Sequence, residues 1–178
     1  MGQTTGVEVR YGRLHNASQS VIATGMVVVA ISHFASHPEN APALSLADPR
    51  FVLFAGLAVV MSFFAWQGAQ RFADRRPQVV INAHGIALGF GRNRRFAWPE
   101  IQWVRLKRVA LRPQLQIGIS PESFVAADLR LSQWNLDDAL RPVRGMPATI
   151  ALRDNGLDRK AAAMLDAIRS IRPNLVKT

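Results

Sequence analysis

Twenty consecutive residues without a charged side chain, Phe51 to Gln70 (FVLFAGLAVVMSFFAWQGAQ), run directly into Arg71, Asp74, Arg75 and Arg76. As a helix rising about 1.5 Å per residue, this stretch reaches about 30 Å, the thickness of the hydrocarbon layer of a bilayer. It contains no Pro, and its glycines, Gly56 and Gly68, are better tolerated in a membrane helix than in a soluble one. Trp66 falls near the basic end, where an amphipathic ring prefers the headgroup level, and the arginines beyond it mark that end as cytoplasmic under the positive-inside bias. Such a segment divides the chain into a front part in or near lipid and a back part that folds in water.

The back part is 108 of the 178 residues, the size of one small domain. After Gln70 there are 19 Lys+Arg against 9 Asp+Glu, a difference of +10, which equals the net charge of the whole chain; the front part has 3 of each and is neutral. A compact domain this basic beside a bilayer points to anionic lipid headgroups first and to nucleic acid second, and charge by itself does not choose between them. The absence of cysteine excludes disulfides, thiolate metal sites and cysteine nucleophiles.

Residues 1–19 read as a polar cytoplasmic segment holding Arg10 and Arg13. Ser20 to Ser36 (SVIATGMVVVAISHFAS) carries no formal charge and is a second, shorter candidate span. The competing reading of this run is a cleaved signal peptide, given the basic start and the small-residue pattern Ala41-Pro42-Ala43. Between the two runs lies HPENAPALSLADPR, with three prolines and a slightly negative charge. Basic flanks around a near-neutral link predict a hairpin over 20–70, with helices at about 20–36 and 51–70 and both chain ends inside. Gly25, Ala30, Ala55, Gly56 and Ala58 are the candidates for close helix approach.

From Pro77 the pattern shifts to short β-type pieces separated by turn residues. PQVVIN is followed by the turn Asn82-Ala83-His84-Gly85, whose Gly is the position expected to need a positive φ. In IALGF, Ile86, Leu88 and Phe90 alternate inward. GRNRR is a turn, and RFAW, IQWVRLKRVAL and QLQIGI continue what reads as one antiparallel meander. Leu115, Ile117 and Ile119 point in, against Gln114 and Gln116. Ser120-Pro121-Glu122 is a helix start, residues 125–146 stay open, and PATIAL is a final strand. After Asp154-Asn155-Gly156, a helix is predicted with Leu157, Ala161, Met164, Leu165, Ile168 and Ile171 on one stripe and Asp158 near its positive end, stopped by Pro173.

Constellations that would carry chemistry are weak. His33 and His37 share a helical face, but Pro38 follows at once and no carboxylate or thiol accompanies them. Gly89-Phe90-Gly91 lacks the third Gly of a dinucleotide loop. Asp137 and Asp138 are adjacent and splay apart, which suits no paired-acid mechanism. No nucleophile motif or metal-ligand spacing is present, so neither an enzyme nor a cofactor is expected. Trp98 and Trp103 read as packing residues; Trp134 is not placed by the pattern. The basic set is the more informative: Arg92, Arg94 and Arg95 crowd one hairpin, and Arg105 and Lys107 share the strand face of Trp103, leaving Val104 and Leu106 for the other. These five are the candidate headgroup-binding residues, against the plainer reading of a solvated basic surface.

PQVVINAHGI, RRFAWPEIQWV with its Trp98-Pro99-Glu100-Ile101, and QLQIGISPESF resemble the bacterial membrane proteins that carry two transmembrane helices followed by a pleckstrin-homology-like (PH-like) domain. The resemblance spans roughly 77–124 and extends more faintly over 147–171. It implies an α+β chain, a transmembrane hairpin and then, over 71–178, an antiparallel PH-like barrel or sheet closed by a C-terminal amphipathic helix. It also implies an inner-membrane location with the domain in the cytosol, and it brings no catalytic residues. The expectation is a non-enzymatic anchored domain that binds anionic lipid headgroups or a protein, or else an accessory subunit of a larger membrane complex; a homo-oligomer is compatible with either.

Overall fold

The computed structural model of the chain describes residues 6–35, 45–89, 94–109, 112–126, 140–143, 145–146 and 148–177. Contacts divide the chain into two compact units: Gly12–Asp74, and Met1–Tyr11 together with Arg75–Thr178.

The first unit is a helical hairpin of α1 (Arg13–Ala35) and α2 (Pro49–Ala73). Both helices begin before the uncharged runs do. Asp48 caps α2 by accepting the N–H of Arg50 at 2.9 Å, and Pro49 fits the first turn, where its missing N–H costs nothing. At the other end the N–H of Asp74 closes on the carbonyl of Gln70. The helices approach where side chains are small: Ala23 and Ala30 are buried, and a Cβ on Gly68 would stand 2.9 Å from the Asn16 carbonyl oxygen and from the Ser20 nitrogen. Ser20 Oγ donates to the Ala65 carbonyl across this contact. Gly25 and Gly56, expected at the crossing, have open space where a Cβ would be; small size marks candidates, but the helical phase decides which face inward. Outside the contact the surface is apolar, with Val21, Ile22, Val29, Leu53 and Val59 exposed. Only 17% of the apolar stretch of α1 and 6% of that of α2 is buried. These are therefore two helices long and apolar enough to cross a membrane, with most of each apolar stretch not buried.

The second unit holds two antiparallel sheets. β1 (Val7–Val9), β2 (Val79–Asn82), β3 (Gly85–Leu88) and β4 (Arg94–Ala97) form one, in that order. The pairing of β1 with β2 joins the two sides of the hairpin: Val7 lies opposite Ile81 and Val9 opposite Val79, and the Gln78 N–H donates to the Val9 carbonyl at 2.7 Å. Val9, Val79 and Ile81 are fully buried. At the β2–β3 turn the Asn82 side chain accepts the N–H groups of His84 and Gly85, and Gly85 has φ 154°.

The predicted single meander is broken after β4 by a 3-10 turn, Trp98–Glu100. Pro99 has no N–H to give a ladder, the buried Trp98 indole donates to the carbonyls of Asn82 and Ala83, and Glu100 accepts the Ala97 N–H at 2.6 Å. The chain then enters a second sheet of β5 (Ile101–Val109), β6 (Arg112–Ile119), β7 (Leu140–Pro142) and β8 (Thr149–Arg153), ordered β5-β6-β8-β7, with α3 (Pro121–Ala126) after β6. Among the described residues no ladder links the two sheets, so of the expected barrel or sheet the structure has the open form. Residues 127–139, including Asp137, Asp138 and Trp134, lie outside the described residues, as do Arg92 and His37.

α4 (Ala161–Ile171) buries Ala161, Met164, Leu165 and Ile168 against β2, β5 and β6, in one core shared by both sheets. It starts four residues later than its apolar stripe suggests. Leu157 bridges to Tyr11, and Asp158 exchanges two bonds with Arg10: its N–H to the Arg10 carbonyl and its carboxylate to the Arg10 N–H, each 2.9 Å. Asp158 therefore anchors the N-terminal segment instead of facing the helix end, and Asp154 Oδ2 accepts the Ala161 N–H there. At the C-terminus Lys177 N–H donates to the Val104 carbonyl, laying the tail along the edge of β5.

Candidate functional site

The basic residues singled out in the sequence fall in two places. Arg94 and Arg95 lie on β4 and line an open hollow of about 540 Å³ with Phe96, Glu100, Glu122, Ser123 and Ala126. Two cations there face two carboxylates, although Glu100 is already engaged by the Ala97 N–H and by Ser123 Oγ at 2.8 Å. Arg94 Nε is buried without a hydrogen-bond partner, but an anion entering this hollow would also meet Glu122. The field is mixed.

Arg105 and Lys107 lie on β5, on the side of the second sheet turned away from the core. Strand parity and register define that outer face as three cross-strand rows: Trp103, Gly118 and Thr149; Arg105, Gln116 and Ala151; Lys107, Gln114 and Arg153. Arg112 and Val109, opposite each other, continue it beyond the third row. The upper rows are closed. The Trp103 indole lies over Gly118, where an added Cβ would meet its ring at 2.3 Å, and Gln116 and Thr149 are almost wholly buried. Arg105 is committed to this packing: its Nε donates to Gln116 Oε1 at 2.9 Å, a terminal nitrogen reaches Met146 Sδ, and its guanidinium stacks 5.0 Å from the Trp103 ring centroid. Lys177 approaches the same ring at 5.8 Å. Such contacts stabilise a covered cation–π cluster by about 1 kcal/mol each.

The lower row is open. Val109, Arg112, Pro113, Gln114, Arg153, Asp154 and Asn155 line a hollow of about 240 Å³. Gln114 is 7% exposed, and no described residue hydrogen-bonds its side-chain amide. Arg112 makes one long contact, 3.4 Å, to Asn155 Oδ1. The outer-face cations Arg105, Lys107, Arg112 and Arg153 have no ion-pair partner among the described residues, and no Asp or Glu shares their rows.

Sequence reading missed Arg112, Gln114 and Arg153. Alternation assigns the glutamines to the face opposite Leu115 and Ile117, which is correct, but parity does not reveal that this face is itself buried. The pairing of β6 with β8, distant in sequence, brings Arg153 beside Gln114. Among the described residues no group of three His, Asp or Glu side chains is placed to hold a metal ion. His33 stacks on Phe54 with ring centroids 4.1 Å apart. No family model, curated protein or solved structure matches the chain.

Proposed function

We propose that this chain is a non-enzymatic anchor protein of a bacterial inner membrane: α1 and α2 cross the bilayer as a hairpin, and the two-sheet unit is a PH-like domain in the cytosol that engages anionic headgroups or a protein. The observation that carries the reading is the pairing of β1 with β2. β1 precedes both helices and β2 follows them, yet the two strands share a ladder and a core. A chain that leaves a folded domain, crosses a membrane and returns to complete the same domain crosses an even number of times. The hairpin supplies two crossings, and the arginines at Arg10, Arg13, Arg71, Arg75 and Arg76 favour the cytoplasm for the domain side. Loss of α1 as a cleaved signal peptide would remove β1 and uncover Val79 and Ile81, so the same pairing favours a retained helix. Two stacked antiparallel sheets with a C-terminal helix across the core support the PH-like assignment, from which the open barrel and the β5-β6-β8-β7 order depart.

The chain has no native thiol, which makes topology directly measurable. Single cysteines at Ser45, in the link between the helices, and at Ser170, on the exposed side of α4, are probed with an impermeant thiol reagent in intact cells. Labelling at Ser45 and protection at Ser170 is the expected result; the reverse pattern overturns the topology. The alternative reading, an accessory subunit of a larger complex, rests on the apolar surface of the hairpin that its own helices leave uncovered. A stable heteromeric species on native gels after mild extraction would favour it.

A further inference from the structure

We infer that the open end of the second sheet's outer face is a binding site for a phosphate monoester, built by Arg112, Arg153 and Gln114 with Lys107 alongside. Gln114 sits at the centre of the arrangement. Lys107 and Arg153 flank it on the neighbouring strands, about 5 Å away on either side at the Cα positions, and Arg112 precedes it by two residues on its own strand, about 7 Å along the same face. Cations gathered this closely on one face repel one another, and a doubly charged anion between them turns that repulsion into attraction. Two guanidinium groups, planar and fixed in charge, suit the oxygens of a phosphate through paired N–H donors. Gln114 lines the hollow and no described residue hydrogen-bonds its amide, so it adds an uncharged N–H donor between the cations.

Asp154 also lines the hollow; one of its oxygens accepts the Ala161 N–H, and Asn155 accepts from Arg112, so both are partly occupied in holding the loop that frames the site. The hollow at Arg94 and Arg95 is the weaker candidate because two carboxylates, Glu100 and Glu122, line it against one here. Phosphate chemistry is common to a membrane lipid such as phosphatidic acid and to a soluble phosphomonoester. The site stands on geometry within the sheet unit alone and does not require the hairpin to cross a membrane.

The test uses the full chain in an uncharged detergent, titrated calorimetrically with inorganic phosphate. Saturable binding is expected, weakened at least tenfold in the double variant R112S/R153S and several-fold in Q114L, which leaves every charge in place; R94S/R95S should stay within twofold of the parent. Thermal melts identify any variant that fails to fold, and in that case Q114L alone decides. Repeating the titration in nanodiscs of phosphatidylcholine with and without phosphatidic acid identifies the source. Competition by phosphatidic acid assigns the site to the lipid, and unchanged phosphate affinity assigns it to a soluble ligand. Absence of saturable binding, or equal affinity in the parent, R112S/R153S and Q114L, overturns the inference.

Discussion

Two glycines show how differently one added methyl group is received. At Gly85 a Cβ would stand 1.9 Å from the Phe96 carbonyl oxygen, a backbone atom fixed by the β3–β4 ladder, and φ is 154°. Neither side yields, and the residue is in a region that side chains avoid. At Gly118 the added atom would meet the Trp103 indole, a side chain able to swing away at the cost of its stack with Arg105. G85A should therefore destabilise the sheet unit by more than about 3 kcal/mol, through strain and clash together. G118A should cost about 1–3 kcal/mol, with Trp103 driven toward water and its fluorescence shifted to the red. Chemical denaturation followed by tryptophan emission separates the two; equal losses would mean the indole is no freer than the backbone. The need for Gly at 85 is legible in the string Asn82-Ala83-His84-Gly85. The need at 118 is not, because it is imposed by a residue fifteen positions earlier that only strand pairing brings overhead.

Elements whose period is carried by several residues were legible, and those whose limits are set by distant partners were less so. The alternation of Leu115, Ile117 and Ile119 gives β6, and the spacing of Met164, Leu165 and Ile168 gives α4. The start of α4 at Ala161 instead of Leu157 depends on the Arg10–Asp158 pairing, 148 positions apart, which no local pattern encodes. The break between β4 and β5 was signalled by Pro99 but masked by the apolar residues on both sides. α4 closes a core between two sheets that share no ladder among the described residues, so its buried side chains should be expensive to truncate. M164A or I168A, both at positions with no exposed area, should each lower stability by about 2–5 kcal/mol, whereas alanine at the exposed Arg169, whose pair with Asp166 is on the surface, should change it by less than about 0.5 kcal/mol. Thermal melting of the three variants decides; a mild loss at Ile168 would show that the sheets hold together without the helix.

For the molecule as a whole, the hairpin is an insertion between two neighbouring strands of one sheet. Sequence reading placed residues 1–19 apart from the domain because three apolar-alternating residues before a long apolar helix carry too little pattern to register as a strand. Yet Val9 is fully buried, Tyr11 nearly so, and Arg10 clasps Asp158, which makes the first residues part of the domain's core and its second edge. A fragment beginning at Arg75 would uncover Val79 and Ile81, leave β2 as an open edge and lose the Tyr11–Leu157 bridge. Burial of Val9 alone contributes about 1.5–3 kcal/mol, and for a domain of this length each 1 kcal/mol moves the melting temperature by about 4–8 °C. Residues 75–178 should accordingly melt at least about 8 °C below a protein in which residues 6–11 are joined to Arg75 by a short Gly/Asn linker replacing the hairpin. A synthetic peptide of residues 6–11 added to the fragment should recover part of the difference, in proportion to its concentration. Matching melting temperatures for the fragment and the linked protein would show that β1 is dispensable, and with it the argument that the chain must return to the side of the membrane from which it started.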